Sequence, residues 1–267
     1  MKVRDKIIVV TGGGAGMGRE LVLQLLERGA KVAAADIQQT GLDETAELAG
    51  KSAGRLSCHL VDISNRSKVN DFPRAVIDAH GAVDGIINNA GIIQPFQDVN
   101  GLSFETVERI MNVNFYGTLY MIQAFLPHLL ERPEAHIANV SSMGGFIPFP
   151  GQTVYGASKA AVKLLTEGLY AELRNTNVGV TVIHPGAVAT NIKSNSGLRS
   201  DEDDAASKES SNKSAVRASD AAVIMINAVE KNKYRVMVGR DARALDILYR
   251  LNPRRAVRFI VDQMQKR

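Results

Sequence analysis

Two polar side chains in one helical segment have the spacing needed to move a proton to or from an alcohol oxygen. Tyr155 and Lys159 lie four residues apart in a helical pattern, so they share one face of the helix. A tyrosine phenol, with an ordinary pKa near ~10, is a poor base at neutral pH, but a nearby ammonium group favours the phenolate and lowers that pKa. Such pairs are common on protein surfaces, so this one predicts catalysis only together with other polar groups.

Ser142 supplies such a group, because it lies thirteen residues before Tyr155 and just past the end of an apolar strand pattern. Ligands of parallel α/β sheets bind at the carboxyl ends of the strands. The Ser142 hydroxyl can hydrogen-bond a carbonyl oxygen and stabilise the negative charge that develops on it. Ser141 is a rival for this role, and only the thirteen-residue spacing favours Ser142.

A glycine-rich segment, TGGGAGMG at residues 11–18, has the composition of a loop that holds a dinucleotide. It joins a strand pattern to a helical one, where glycine permits positive φ and backbone amides can approach a pyrophosphate. Asp36 ends the next strand pattern, where its carboxylate can accept both hydroxyls of an adenosine ribose. The loop alone is also typical of a tight turn and the acid alone of a solvated strand end, but their joint spacing predicts a nucleotide site.

The residues around Asp36 favour NAD over NADP. A carboxylate repels the 2′-phosphate of NADP, which an arginine or lysine would bind. The next residue is Ile37, and the glycine loop holds no cation between Gly12 and Gly18. We therefore predict NAD as the cofactor.

Short apolar runs that alternate with amphipathic stretches must position these side chains. The predicted strands are 7–11, 31–36, 56–62, 83–88, 135–141, 178–184 and 234–238, and helical patterns between them include 16–28, 65–80, 103–130 and 153–174. The nearly continuous apolar character of the strands is typical of a parallel sheet covered on both faces. We predict an α/β fold: one Rossmann-like domain over 1–267, with a doubly wound parallel sheet of about seven strands and helices on both faces.

In its motifs the chain resembles the short-chain dehydrogenase/reductase family, in its short one-domain form, over residues from about 5 to 240. The motifs are TGGGAGMG (11–18), Asp36, Asp62, NNAG (88–91), MNVN (111–114), VSS (140–142), YGASK (155–159) and PGAVAT (185–190). The resemblance implies that Tyr155 is the acid/base, that Lys159 lowers its pKa and binds the nicotinamide ribose, and that Ser142 polarises the carbonyl. It also implies that Asn114 holds a water that relays protons between Lys159 and solvent.

The resemblance also implies how the cofactor is held. Asp62 and Ile63 would contact the adenine, residues 89–91 the adenosine side and residues 185–190 the nicotinamide. The predicted cofactor-binding residues are Gly12, Gly14, Gly16, Met17, Gly18, Asp36, Ile37, Asp62, Ile63, Asn89, Ala90, Gly91, Val113, Tyr155, Lys159, Pro185, Gly186, Val188 and Thr190.

We therefore predict an NAD-dependent oxidoreductase that transfers a hydride between nicotinamide and a secondary alcohol or ketone. Five apolar side chains flank the predicted site and favour an apolar substrate, such as a lipid, steroid or terpenoid alcohol. They are Ile93, Phe96, Phe146, Ile147 and Phe149. Two alternatives are an epimerase or dehydratase with bound NAD, typical of longer chains with another glycine spacing, and a regulatory protein that senses NAD without turnover. Loss of Tyr155 or Lys159 would indicate the regulatory protein, and both residues are present.

Composition and charge exclude several other classes of protein. The 267 residues carry a net charge of +4, but residues 231–267 hold eleven Lys or Arg against three Asp, so the remainder is acidic. Since the body lacks a basic cluster, we predict no nucleic-acid partner. Cys58 is the single cysteine, which excludes an intrachain disulfide and a thiolate zinc site, and we expect it to be buried in its strand. The five histidines lack metal-ligand spacing, so we predict no metal.

Two segments fall outside the alternating pattern. Residues 193–214 are rich in Ser, Asn, Asp, Glu and Lys, and we predict a mobile substrate lid there. Residues 241–267 predict a basic extension of two helices, 241–251 and 254–266, separated by Pro253, with an apolar stripe on the second. We expect the stripe to pack on the chain's own domain or on a neighbouring subunit. Peripheral contact with an anionic membrane and steering of an acidic ligand are the alternatives.

Assembly and location are expected from the same patterns. The helices 103–130 and 153–174 resemble those that pair subunits in tetramers of the family, so we expect a homo-oligomer, a dimer or a homotetramer. No apolar stretch is long enough to span a bilayer, and the run after Met1 is too short for a signal peptide. We expect a cytoplasmic protein whose partner is a small-molecule alcohol or ketone.

Overall fold

The computed structural model describes residues 1–189, 196 and 215–265. The strands of this part of the chain are β1 (Ile7–Thr11), β2 (Lys31–Asp36), β3 (Leu56–Leu60), β4 (Gly85–Asn88), β5 (Ala135–Val140), β6 (Val178–Pro185), β7 (Val188–Ala189), β8 (Val216–Arg217) and β9 (Arg235–Val238). The helices are α1 (Gly16–Glu27), α2 (Gln39–Ala49), α3 (Arg66–His80), α4 (Phe104–Met111), α5 (Gly117–Leu130), α6 (Thr153–Glu172), α7 (Ala218–Glu230), α8 (Arg240–Leu251) and α9 (Pro253–Gln265).

Seven of the strands form one sheet in the order β3-β2-β1-β4-β5-β6-β9. Every neighbouring pair in this sheet is parallel. The chain moves outward from β1 to β3 and then returns to the other side of β1 with β4. The carboxyl ends of β1 and β4 therefore border the crevice in which doubly wound sheets bind ligands. This topology confirms the predicted α/β fold.

Helices cover both faces of the sheet and bury its apolar side chains. On one face, α1 and α7 bring Leu25 and Met225 against the sheet. On the other face, Phe72 of α3 and Phe125 of α5 pack edge to face, with ring centroids 5.4 Å apart, in a core that α6 completes. The α/β layers thereby hold the strand ends of the crevice in fixed positions.

The boundaries of several elements differ from the predicted ones. Strand 56–62 ends at Leu60, strand 135–141 ends at Val140, and strand 83–88 begins at Gly85. The predicted helix 103–130 is divided into α4 and α5 by a π-helical segment, Asn112–Tyr116. The periodicity of apolar residues does not reveal one widened turn, because the helix continues on both sides of it.

The expectation that Cys58 is buried is wrong, since its side chain is exposed. It belongs to β3, which is the outermost strand of the sheet and therefore has a neighbouring strand on one side only. Its sulfur lies 3.8 Å from the Leu42 carbonyl oxygen of α2, so one side of the thiol is covered.

The C-terminal helices pack on the rest of the chain, as expected. Ala256 and Ile260 of α9 and Leu245 of α8 form an apolar cluster with Ile147, which follows the end of β5. The confirmed contact is the one with the chain's own domain. The predicted lid, residues 193–214, lies outside the described residues except for Ser196.

Candidate active site

The loop after β1 turns sharply because two of its glycines adopt positive φ, +69° at Gly12 and +52° at Gly16. A Cβ atom at Gly18, in the first turn of α1, would collide with the Gly12 carbonyl. The loop therefore lies closer to the helix than a residue with a side chain allows. No side chain caps the start of α1 among the described residues, so its first amides are free to bind an anion.

Asp36, at the end of β2, holds the glycine loop by hydrogen bonds. Its Oδ2 accepts from the Gly14 amide at 2.9 Å, and its Oδ1 accepts from the Gln38 amide at 3.0 Å. Each carboxylate oxygen can accept a second bond, so hydroxyl groups of a ribose could share the carboxylate. The side chain thus has a structural contact that the sequence pattern does not reveal.

A cleft of about 310 Å³ runs along the carboxyl ends of β1, β2 and β4. The predicted cofactor residues that line it are Gly12, Gly14, Gly16, Met17, Asp36, Ile37, Asp62, Ile63, Asn89, Ala90, Gly91 and Val113. Gly18, Tyr155, Lys159, Pro185, Gly186 and Val188 lie outside this lining, and Thr190 lies outside the described residues. The structure therefore brings most of the predicted cofactor residues into one surface.

Asn89 contributes a buried acceptor to the wall of this cleft. Its side-chain amide donates to the Thr11 carbonyl at 3.0 Å, and its backbone amide donates to the Thr11 hydroxyl at 3.0 Å. Its Oδ1 is buried and has no partner among the described residues. A buried acceptor without a partner costs free energy unless a ligand or water donates to it. The residues present therefore fit a ligand with hydroxyl or amino donors, such as a nucleotide.

The side chains of Tyr155 and Ser142 are neighbours at Gly144, where an added Cβ atom would lie 3.4 Å from Ser142 Oγ and 3.5 Å from Tyr155 Cε1. Burial raises the pKa of Tyr155 above its ordinary value, and the weaker opposing influence is the Ser142 hydroxyl, which stabilises the phenolate. Ser142 Oγ also accepts from the Gly144 amide at 3.0 Å, which orients the hydroxyl. The lowering of the Tyr155 pKa by Lys159, which the resemblance implies, remains a prediction.

Lys159 is buried, with its side chain directed to the end of β5. Its Nζ donates to the Val140 carbonyl oxygen at 3.0 Å. Burial lowers the pKa of Lys159 to about 8, so the ammonium form still predominates at neutral pH. A Cβ atom at Gly91 would lie 2.9 Å from Nζ, so the ammonium adjoins the lining of the cleft.

Asn114 lies in the π-helical segment and is fully buried. Its amide nitrogen donates to the Ile92 carbonyl and to Ser158 Oγ, both at 2.9 Å, and its Oδ1 accepts from the Ile92 amide at 2.8 Å. Both side-chain hydrogens are thus used within the chain. The observed contacts join the loop after β4 to α6, and the water relay at Asn114 remains a prediction.

Ser141 and His184 determine the position of the Ser142 backbone. The Ser141 hydroxyl donates to the Lys159 carbonyl at 2.7 Å, so its hydrogen is already bonded within the chain. His184 Nδ1 donates to the Ser142 carbonyl at 3.0 Å, and burial lowers the His184 pKa to about 4, which keeps the ring neutral. The sequence does not indicate this role of His184, because the bond crosses from β6 to the segment after β5.

Gln94 is a second residue without a predicted role, and it holds the first turn of α6. Its Oε1 accepts from the Val154 amide at 2.8 Å and from the Tyr155 amide at 2.9 Å. Its Nε2 donates to the Gly151 carbonyl at 2.9 Å, and the side chain is fully buried. These bonds satisfy two of the amides that a helix leaves unpaired at its N-terminus, and one of them belongs to Tyr155. No signal near Gln94 in the sequence indicates this contact.

The segment after β6 is held by the start of α8. The Gly186 amide donates to the Val238 carbonyl at 2.8 Å, and the Ala187 amide donates to an Asp241 carboxylate oxygen at 2.7 Å. Pro185 ends β6, and Val188 belongs to β7, so the predicted nicotinamide segment begins directly beyond the sheet.

The five apolar side chains expected around a substrate divide into two groups. Ile147 is fully buried in the cluster with α8 and α9, and Phe146 and Phe149 pack against that cluster. Ile93 is partly exposed, and Phe96 is 63% exposed. Ile147 is therefore a core residue rather than part of a substrate pocket.

The described residues contain neither a cluster of metal ligands nor a membrane-spanning helix. No group of three or more His, Cys, Asp or Glu side chains in this part of the chain could hold a metal ion. Among its helices, none combines the length and apolar character needed to cross a membrane.

Comparison with solved structures agrees with this geometry. A short chain dehydrogenase/reductase from Burkholderia phymatum in complex with NAD has a TM-score of 0.81 and 26% identity, covering 89% of this chain and 90% of the other. A short chain dehydrogenase from Burkholderia cenocepacia in complex with NADP has a TM-score of 0.80 and 26% identity, covering 97% and 99%.

Comparison of sequences gives the family. A Mycobacterium tuberculosis protein described as an oxidoreductase, SadH, is 36% identical over 250 residues, which are 92% of this chain and 90% of the relative. The model of the short chain dehydrogenase family matches residues 6–201. The family match and the similarity to this relative show that the chain belongs to the short-chain dehydrogenase/reductase family, and the glycine loop and the Ser142–Tyr155–Lys159 group are consistent with it.

Proposed function

We propose that the chain is an NAD-dependent oxidoreductase that interconverts a secondary alcohol and a ketone. The observation that carries this proposal is the proximity of Ser142 and Tyr155, which meet at Gly144, with the buried Lys159 ammonium close to Gly91. Gly91 lines the cleft that also contains the glycine loop and Asp36. An acid/base group therefore adjoins a cleft with the features of a dinucleotide site.

The dinucleotide, when bound, supplies the acceptor or donor of the hydride. In the oxidation direction, Tyr155 accepts the hydroxyl proton of the alcohol at its phenolate oxygen as the carbon releases hydride. In the reduction direction, the Tyr155 phenol returns that proton to the oxygen of the ketone. Ser142 donates a hydrogen bond to the substrate oxygen and so stabilises the charge that develops on it.

The environment of Tyr155 supports both directions. Burial, which raises its pKa, keeps the phenol protonated and therefore ready to donate in reduction. For oxidation, the Ser142 hydroxyl and a charged Lys159 favour the phenolate. The pKa of Lys159, about 8, leaves this charge in place at neutral pH.

The choice of NAD over NADP rests on the charges beside the adenosine end of the cleft. The Asp36 carboxylate would repel a 2′-phosphate, and Ile37 beside it is 63% exposed and uncharged. Arg19 hydrogen-bonds the Gly14 carbonyl, but its guanidinium is also paired with Glu44 at 2.5 Å. A phosphate would have to compete with Glu44 for this cation.

A panel of secondary alcohols with NAD or NADP, followed at the absorbance band of the reduced cofactor, tests the proposal. We expect turnover with NAD and its loss by orders of magnitude in Tyr155→Phe, with NADH binding little changed. Binding of NAD without turnover of any alcohol would favour the NAD-sensing alternative instead. Retention of a tenth of the wild-type kcat in Tyr155→Phe would refute the role of Tyr155.

For assembly, we propose a homo-oligomer that forms through α4, α5 and α6. Large apolar side chains on these helices are exposed in the single chain, with Phe104 81% exposed, Leu164 69% and Tyr170 43%. Burial of such side chains is the main favourable term in subunit association. Sedimentation equilibrium distinguishes this proposal from a monomer.

A further inference from the structure

The helices α8 and α9 meet at an exposed corner, which we define by residues 247–258. Each helix uses one face to pack on the chain: α8 buries Ala242 and Leu245, and α9 buries Ala256 and Ile260. The side chains on the opposite faces are left to solvent. This outer surface is distinct from the cleft and from the Ser142–Tyr155–Lys159 group.

Large apolar side chains protrude from this corner. Leu251, at the end of α8, is 80% exposed, and Ile247, one turn earlier on the same face, is 54% exposed. Pro253 begins α9 two residues after Leu251, so the chain reverses there and presents Leu251 at the tip. Exposed aliphatic side chains at a tip gain free energy only when another surface covers them.

Four arginines lie within seven residues of Leu251 in the chain. Arg254, Arg255 and Arg258 are exposed, and none of them has an ion pair among the described residues. Arg250 shares Asp246 with Arg235, so two guanidinium groups meet one carboxylate there. Residues 247–258 contain four arginines and no acidic residue, so the corner carries an excess of positive charge even with Arg250 paired to Asp246.

We propose that this corner docks on the surface of an anionic lipid membrane. Aliphatic side chains enter the boundary between headgroups and acyl chains, while arginines beside them attract anionic headgroups, and the two contributions add. This inference does not depend on the oxidoreductase activity.

Other occupants fit these observations less well. A nucleic acid duplex would gain from the arginines, but the phosphate backbone that it presents would leave Leu251 and Ile247 uncovered. A second copy of the chain, docked through the same surface by a two-fold axis, would bring Arg254, Arg255 and Arg258 toward the like charges of its partner. An anionic bilayer complements both the charge and the apolar tip.

Flotation of the full chain with phosphatidylcholine vesicles, with and without phosphatidylserine, tests the proposal. We expect flotation only with phosphatidylserine and its loss at high salt, because salt screens exposed charges. The variant Arg254→Gln/Arg255→Gln/Arg258→Gln should bind about a hundredfold more weakly, since each cation near the surface contributes about one kcal/mol. Leu251→Ser should weaken binding without changing the salt dependence.

A matched control removes three exposed cations elsewhere, Lys51→Gln/Lys68→Gln/Arg74→Gln, and should float like the wild type. Circular dichroism should show the same melting temperature in every variant. Equal loss in the control, flotation without phosphatidylserine, or no flotation of the wild type would overturn the proposal. Two other results would also overturn it. One is that an RNA displaces the protein from vesicles and binds Leu251→Ser as tightly as the wild type. The other is that the arginine variant has a different oligomeric state from the wild type while neither protein binds lipid.

Discussion

Tyr155 is subject to two opposing influences on its pKa: burial raises it, and the Ser142 side chain lowers it by less. Alcohol oxidation needs the phenolate, so kcat/KM should rise with pH as Tyr155 loses its proton. Ser142→Ala removes the lowering influence, so the rise should move to higher pH. It should also lower kcat by about 10²–10³, because a donor to the reacting oxygen is lost. Steady-state kinetics over a pH series measures both effects.

Ser141→Ala is the matched control for this prediction. Its hydroxyl donates to the Lys159 carbonyl rather than to Tyr155, so its removal should lower the melting temperature without moving the pH profile. A Ser142→Ala profile that coincides with the wild-type profile would contradict the assignment.

Asp36 and Ile37 give a prediction about the cofactor. Asp36→Ala/Ile37→Arg removes a repulsion and adds a partner for a 2′-phosphate. The ratio of kcat/KM with NADP to kcat/KM with NAD should therefore rise by about tenfold or more, which corresponds to the free energy of one hydrogen bond to a charged group. The Gly14 amide also loses its acceptor, so the double variant should bind NADH more weakly than Ile37→Arg alone. Fluorescence titration with NADH and NADPH measures these constants. A wild-type preference for NADP would show the prediction to be wrong.

The roles of some site residues can be predicted from the sequence, and those of others cannot. The residues of the glycine loop and Asp36 could be predicted because their chemistry depends on local spacing, and the structure brings them into one cleft. Gln94 could not, because its partner Tyr155 is 61 residues away and any buried amide in the right place would serve. His184 is similar, since it acts on Ser142 from 42 residues away.

At the scale of elements, the start of α6 depends on Gln94. Gln94→Leu leaves the amides of Val154 and Tyr155 without their acceptor in a buried site, and each buried unpaired group costs about 1–3 kcal/mol. We expect a lower free energy of unfolding and a lower kcat, because the first turn that carries Tyr155 loosens. Gln94 does not line the cleft, so the dissociation constant of NADH should change little.

Gln94→Glu separates the helix cap from the packing of the side chain. The carboxylate keeps both acceptor bonds and is favoured at a helix N-terminus, but it cannot donate to the Gly151 carbonyl. Its kcat and melting temperature should lie between those of the wild type and Gln94→Leu. Urea unfolding and steady-state kinetics of the three proteins measure this order. Equal kcat in all three would show that the cap has no effect on Tyr155.

The π-helical segment is the element that sequence patterns could not supply. Apolar periodicity predicts one helix over 103–130, and the structure has two with a widened turn between them. The widened turn contains Asn114, whose side chain reaches the Ile92 backbone and Ser158. The contacts that accompany the widened turn come from other elements, so the sequence of the helix alone does not indicate where the turn lies. Such insertions are frequent at functional sites.

At the scale of the whole molecule, the sheet order could be predicted because alternating strands and helices allow few arrangements. Parallel strands joined by right-handed crossovers form a doubly wound sheet. The seven strands of the large sheet, from β1 to β9, have the order of such a sheet. The β7–β8 ribbon could not be predicted, since two strands of two residues each give no periodic signal. The exposure of Cys58 depends likewise on its strand being outermost, which only the assembled sheet determines.

Two buried histidines connect the stability of the whole fold to pH. Burial lowers the pKa of His136 to about 3 and that of His184 to about 4, from an ordinary value of 6.5. Below pH 6.5 the unfolded chain takes up a proton at each histidine while the folded chain does not. The free energy of unfolding should therefore fall with falling pH, by about 1.4 kcal/mol per pH unit for each histidine, until the folded-state pKa is reached.

His136→Gln isolates one of these two contributions. The Thr181 hydroxyl donates to the Lys233 carbonyl, so His136 Nε2 must donate to Thr181, and a glutamine amide can replace that donor without titrating. Urea unfolding at a series of pH values between about 7.5 and 4.5 should show a slope smaller by about 1.4 kcal/mol per pH unit in the variant. Above about pH 7 the two curves should be parallel, because neither histidine titrates there in either state. Parallel curves at acid pH as well would mean that His136 takes up its proton in the folded chain, and the predicted origin of the acid sensitivity would be wrong.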